Sequence, residues 1–302
     1  MNRTAISLAV AMLFSSALSL AETLTAQKLW ETQPEFKNPE SAIYDETRDT
    51  LYISNVDGDA MGKDGYGSIS RMTPDGNITD LQWVTGLNAP KGMAIVDDKL
   101  YVADIDTLIE IDLATGAIGH RYGAPGAQFL NDVTADSTGN VYVSDMMTNR
   151  IHWLHNGVFE VWLEGPMLEN PNGLLAVGDK LYLGTWGAMK GGFNTPVPGH
   201  IKVISLTDKS VIDFGSDKPV GNMDGIEILD DGSILATDWM AGGLMTVAAT
   251  GEVTSLLDLA PGSADHEYIP AKNLVIIPMM QGGTVAAYQL ETVQPAAESD
   301  GP

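Results

Sequence analysis

Six residues able to do chemistry recur at near-regular intervals: Glu40, Lys91, Asn131, Asn172, Asp224 and Asp265, separated by 51, 40, 41, 52 and 41 positions. Each opens a short apolar stretch. If those stretches run side by side around one axis, their side chains converge. A buried carboxylate or amide there costs several kcal/mol unless it is paired or bound to metal. The oxygens of Glu40, Asn131, Asn172 and Asp224 suit one hard divalent cation: Ca²⁺ best, then Mg²⁺ or Mn²⁺, with Zn²⁺ last because it prefers histidine and cysteine. For any one position the alternative is an Asn or Asp capping a turn.

The elements that must position these residues also repeat. About ten residues after each opening comes a second apolar phrase with a small or polar end. The copies are Leu51-Tyr-Ile-Ser-Asn55, Leu100-Tyr-Val-Ala-Asp104, Val141-Tyr-Val-Ser-Asp145, Leu181-Tyr-Leu-Gly-Thr185, Ile234-Leu-Ala-Thr-Asp238 and, less regularly, Leu274-Val-Ile-Ile-Pro278. Turn pairs such as Asp75-Gly76, Asn156-Gly157 and Asp231-Gly232 sit where hairpins should reverse. A period of 40–50 residues built of short strands predicts an all-β, six-bladed β-propeller with four-stranded blades over 22–290. The last copy supplies three strands, so Ala26–Gln33 is expected to close the ring as that blade's outer strand, leaving no exposed sheet edge. The stretch 291–302, rich in Ala, Pro and acids, reads as a disordered tail.

Four phrases carry a more specific likeness: Pro39-Glu40-Ser-Ala-Ile-Tyr, Phe129-Leu-Asn131-Asp132-Val, Pro171-Asn172-Gly173-Leu and Met223-Asp224-Gly225-Ile. In order and on a matching period, they resemble the metal-site phrases of the senescence marker protein/gluconolactonase family over about Pro39 to Leu290. That resemblance implies a six-bladed propeller that hydrolyses lactones with one divalent metal. It implies Glu40, Asn172 and Asp224 as ligands, Asn131 as a further ligand or substrate contact, and Asp224 also as general base. The chain departs from the family at Ser41, where many members have glycine, at Lys91, and at Asp265-His266-Glu267. Lys91 reads either as a contact for an anionic substrate or a polarised carbonyl, or as a salt-bridge partner. His266 reads either as a substrate-side proton shuttle or as a packed core histidine.

The chemistry expected is attack of an activated water on a lactone or related ester. The metal would polarise the carbonyl and acidify the water, with Asp224 as base and Asn131 beside the oxyanion. A propeller that binds a ligand or partner protein without catalysis is the alternative, since fold does not dictate activity. Asp57-Gly58-Asp59 begins like a calcium loop, but Ser68 stands where a bidentate Glu is needed, so it reads as a blade loop. The insertion from Trp186 to Gly199 is either a cover for the pocket mouth or a self-packed loop. No nucleophile elbow or phosphate-cradling loop is present.

Composition narrows the classes further. With 40 acidic and 16 basic residues the net charge is −24, which disfavours nucleic-acid and anionic-membrane partners. The absence of cysteine excludes disulfides and thiolate chemistry. Arg3, an apolar run to Leu20 and Ser19-Leu20-Ala21 read as a signal peptide over 1–21, and hence an exported, periplasmic or secreted protein. Its removal takes one arginine and no acid, moving the charge from −24 to −25. A monomer acting on a small-molecule substrate, with no membrane contact after cleavage, is the expectation.

Overall fold

A computed structural model describes residues 23–294. The signal-peptide segment 1–21 and the last residues of the expected tail lie outside them. Among the described residues, 24 strands form six four-stranded antiparallel sheets, and the helical turns are two three-residue 3-10 segments. Five sheets each use four consecutive strands. The sixth completes itself with the first strand, Thr23–Glu31, paired to the last, Thr284–Val293. The ring is therefore closed as expected, but the final strand runs three residues past the boundary at Leu290. Thr23, Leu24 and Thr25 stand opposite Val293, Thr292 and Glu291, so 291–293 is paired strand and not disordered tail.

The apolar phrases are runs, not alternations, because each sheet is sandwiched between two others and its inner strands are covered on both faces. Leu51, Tyr52 and Ile53 are all buried. Leu51 and Ile53 pack with Ile276 and Val285 of the last blade, whereas Tyr52 packs with Val102 and Ile109 of the second. At Asn156-Gly157 both residues have positive φ, 50° and 77°, the two-residue hairpin turn that Asn-Gly favours.

The polar ends of the second strands act as clasps between blades. Asp104 accepts the Ala89 and Asn88 N–H groups, Asp145 accepts those of Phe129 and Gln128, and Asn55 accepts that of Lys37. Each ties down the linker that enters its own innermost strand. The hydroxyl just before the clasp has a second task. Ser54, Ser144 and Thr237 accept the N–H groups of Ser41, Asp132 and Gly225, at the points where the innermost strands bulge. A recurrent Ser/Thr followed by Asn/Asp thus satisfies backbone donors that would otherwise be buried without partners.

Those bulges set the height of every side chain facing the axis. Pro39, Pro90, Leu130, Pro171 and Met223 face the second-strand ends Asn55, Asp104, Asp145, Thr185 and Asp238, and Ser263 bridges Met279 in the same place. One residue further lies the first axial level: Glu40, Lys91, Asn131, Asn172, Asp224 and Ala264. Asp265, which the sequence aligned with this set, is displaced by one position. It belongs to the second level with Ser41, Gly92, Asp132, Gly173 and Gly225. There neighbouring innermost strands meet closely: a Cβ on Gly173 would fall on the Asp224 carbonyl oxygen, and one on Gly92 would fall on Asp132.

Candidate active site

Glu40, Lys91, Asn131, Asn172 and Asp224 form the floor of one axial cavity of about 230 Å³. Residues up to 184 positions apart meet there because each is the second residue of an innermost strand, at the same point of the bulge in its blade. The five predicted floor residues thus come together, all at most 5 % exposed. A hydrogen-bonded chain links three of them. Asn131 Nδ2 donates to Asn172 Oδ1, and Asn172 Nδ2 donates to Asp224 Oδ1 at 2.8 Å and to the Met223 carbonyl at 2.9 Å.

His266 does not join them. It sits one residue beyond the second level, packed beside Gly225, whose missing Cβ leaves it room, with Nδ1 3.5 Å from the Thr237 hydroxyl. Burial holds its pKa down to about 3, so the ring is neutral at physiological pH, and it edges a separate cavity lower in the channel. The structure thus places His266 outside the axial cavity, with its Nε2 buried and without a hydrogen-bond partner among the described residues. Lys91 does reach the cavity, but not in a salt bridge. Its ammonium donates to the carbonyls of Ala60, at 3.0 Å, and Ala89, at 2.9 Å, and lies 4.5 Å from the centre of the Phe129 ring.

The charges on the floor are under strain. Burial raises the Glu40 carboxyl well above its ordinary range, and repulsion from Asp224 adds to this while Lys91 opposes it. Asp224 is raised by burial and then by Asp265, against the hydrogen bond from Asn172. Lys91 is lowered to about 8 by burial, against the pull of Glu40. Glu40 Oε2 is buried with no hydrogen-bond partner among the described residues. An orphaned carboxylate oxygen facing a second raised carboxyl is the environment a cation would relieve. Among the described residues no three His, Cys, Asp or Glu side chains gather as a metal site. A cation here would thus rest on two carboxylates and on the amides of Asn131 and Asn172, a donor set that fits Ca²⁺.

The walls were not anticipated in full. They are Phe129, Met146, Trp186, Phe193, Trp239 and Met280, with Ala60 from the loop after Asn55. A signal for some of them was present: in the first five copies the residue following the second-strand phrase is apolar, namely Val56, Ile105, Met146, Trp186 and Trp239, and three of these line the cavity, whereas Met280 stands one place later than the sixth phrase marks. The insertion after Thr185 covers the mouth. Phe193 packs edge-on against Phe129 and Trp186, and the Trp186 indole donates to the Phe193 carbonyl at 2.9 Å. Asn222 Nδ2 pins this loop through the Trp186 carbonyl and the Thr195 hydroxyl, at 2.6 and 2.7 Å. Asn222→Ala is expected to cost about 1–2 kcal/mol and to make the loop a preferred proteolytic site. Limited proteolysis beside a melting curve checks both.

Below the floor the channel carries more acid. Asp132 and Asp265 occupy the second level, with Ser41 Oγ donating to Asp265 at 2.6 Å and the Leu174 N–H donating to Asp132 at 2.5 Å. Glu227 and Glu267 lie beyond, around the lower cavity, which is about 210 Å³.

No protein-family model matches the sequence, and no curated protein matches it. Solved structures do. A gluconolactonase from Xanthomonas campestris superposes with a TM-score of 0.60 at 16% identity over 92% of this chain and 93% of its own. A protein described provisionally as a gluconolactonase gives 0.66 at 15% identity over 89% and 93%. A streptogramin B lyase gives 0.61 at 13% identity over 91% and 100%. A virginiamycin B lyase from Staphylococcus aureus, solved with quinupristin as a catalytically inactive histidine-to-alanine variant, gives 0.59 at 14% identity over 88% and 99%. At such identities the likeness establishes the six-bladed fold, which hosts more than one chemistry.

Proposed function

We propose that this chain is a hydrolase of lactones or related esters, working at the axial cavity with one divalent cation, Ca²⁺ by preference. The observation that carries the reading is the meeting of Glu40 and Asp224, one with an orphaned buried oxygen, on a floor shared with two amides and an ammonium. Glu40, Asn131, Asn172 and Asp224 would hold the cation, which when bound supplies carbonyl polarisation and a more acidic water.

The chain's own groups account for the rest. Asp224, oriented by Asn172, takes the proton from the attacking water as general base. Lys91, with two of its three hydrogens committed to carbonyls, has one left for the oxygen on which negative charge develops. The aromatic walls exclude bulk water, which strengthens both effects. Ring opening then returns the proton from Asp224 to the leaving alkoxide. The shared fold would equally accommodate a lyase, but none of the five histidines lines this cavity. In the virginiamycin B lyase, by contrast, a histidine-to-alanine change accompanies inactivity. Hydrolysis by a carboxylate base is the better match.

A panel of lactones and aryl esters, assayed before and after chelation, tests the proposal. Turnover should be lost on chelation and restored by Ca²⁺. Turnover indifferent to chelation removes the cation from the mechanism, and silence across the panel removes the hydrolase.

A further inference from the structure

The walls and floor of the axial cavity differ sharply in chemistry, and the difference bears on what the site accepts. Every polar side chain sits on the floor, and most donors there are spent. Asn172 Nδ2 is engaged by Asp224 and Met223, Asn131 Nδ2 by Asn172, and two hydrogens of Lys91 by carbonyls. Above the floor stand only Phe129, Met146, Trp186, Phe193, Trp239 and Met280 beside Ala60. The Trp186 N–H is turned away to the Phe193 carbonyl, which leaves the Trp239 indole N–H as the walls' one side-chain donor. With the floor's carboxylate and amide oxygens turned to the cation, a polyhydroxylated ring placed here would strip water from several hydroxyls and return hydrogen bonds to few of them, at a cost for each unmatched group.

Resting on the hydrolase reading above, we infer that the substrate is a compact, unhydroxylated lactone bearing a short alkyl or aryl substituent, not a sugar lactone. The single ester group meets Lys91 and the carboxylates. The substituent lies among the four aromatic rings and two methionines. The methionines tolerate variation in shape, while the rings give a flat substituent faces to pack on. A cavity of about 230 Å³ is small for a ligand site, so length is bounded as well as polarity.

The test pairs turnover with binding. Across δ-valerolactone, δ-hexalactone and δ-octalactone, kcat/KM should rise roughly three- to fourfold per methylene until the cavity is full. Glucono-δ-lactone, the same ring with hydroxyls, should be at least 100-fold poorer than the best of them. Independently, the matching alkyl δ-lactams, which resist hydrolysis, should quench tryptophan fluorescence with Kd values falling by the same factor per methylene. Phe193→Ala, on the covering loop and outside the reacting groups, should weaken lactam binding at least tenfold while leaving the melting temperature within 2 °C or so. Lactam binding that follows chain length without turnover of any lactone would uphold the apolar site and refute the hydrolase. Turnover of glucono-δ-lactone equal to that of the alkyl series, or lactam affinity indifferent to chain length, would overturn the inference with the hydrolase left standing.

Discussion

Asp224→Asn is expected to lower kcat for lactone opening by about 10²–10⁴, the usual contribution of a general base, with KM changed by less than threefold. The substitution preserves shape, and the amide can still meet Asn172 through its oxygen. What disappears is the ability to take a proton from water, together with one of the two negative charges that would hold the cation. The propeller should remain folded and become somewhat more heat-resistant, because a carboxyl pushed above its ordinary range by burial is replaced by a neutral group. Because a general base must be ionised to accept a proton, kcat/KM in the wild type should climb as pH rises until Asp224 has lost its own. Steady-state kinetics across pH, with a melting curve for each protein, decide the matter. Unimpaired turnover in Asp224→Asn would remove this residue from the chemistry.

The second large effect concerns stability. Glu267 is raised to about 8, chiefly by burial and secondarily by Asp265, against the Tyr44 N–H that it accepts. Asp265 is raised to about 6, and Glu227 is raised well above its ordinary range by burial and by Glu267. A carboxyl whose folded pKa exceeds its unfolded value lends stability that is complete below the unfolded pKa and is lost as pH rises through the folded one. Two groups run the other way. Lys91, depressed to about 8, makes the fold gain stability as pH rises from about 8 to 10.5. His266, depressed to about 3, makes it lose stability as pH falls below about 6.5.

Between those limits the acids act unopposed by either. Lowering the pH from 8 to 6.5 should therefore stabilise the protein by about 2 kcal/mol per proton taken up, or several degrees in melting temperature. Glu267→Gln should flatten this slope and raise the melting temperature at pH 8. A melting temperature that rises from pH 6.5 to pH 8 would contradict the account. So would a Glu267→Gln variant with the wild-type slope.

Much of this molecule was legible as text. The recurring Leu-Tyr-Ile-Ser type of phrase, ending in Asn, Asp or Thr, determines six sheets because such runs must be covered on both faces, and only a ring of blades covers them all. The types and spacing of Glu40, Lys91, Asn131, Asn172 and Asp224 marked the axial floor, since equal strand positions in equal blades lie at equal height. The same phrases concealed what depends on a single residue of register. In the last blade the place held elsewhere by Asn55 or Asp104 falls to Met279, one past Pro278; its partner Ser263 puts Ala264 on the floor and Asp265 a level down, beside Asp132. His266 followed it out of the site, into the packing beside Gly225.

The apolar walls were settled by tertiary structure as well. Met146, Trp239 and Met280 are unremarked residues after strand ends, and Phe193 lies in an insertion whose text allowed either a cover or a loop packed on itself. Sequence periodicity records which residues are equivalent from blade to blade. Which of them meet, and what medium they meet in, follows from closing the ring, because only then do side chains far apart in the chain share one desolvated space.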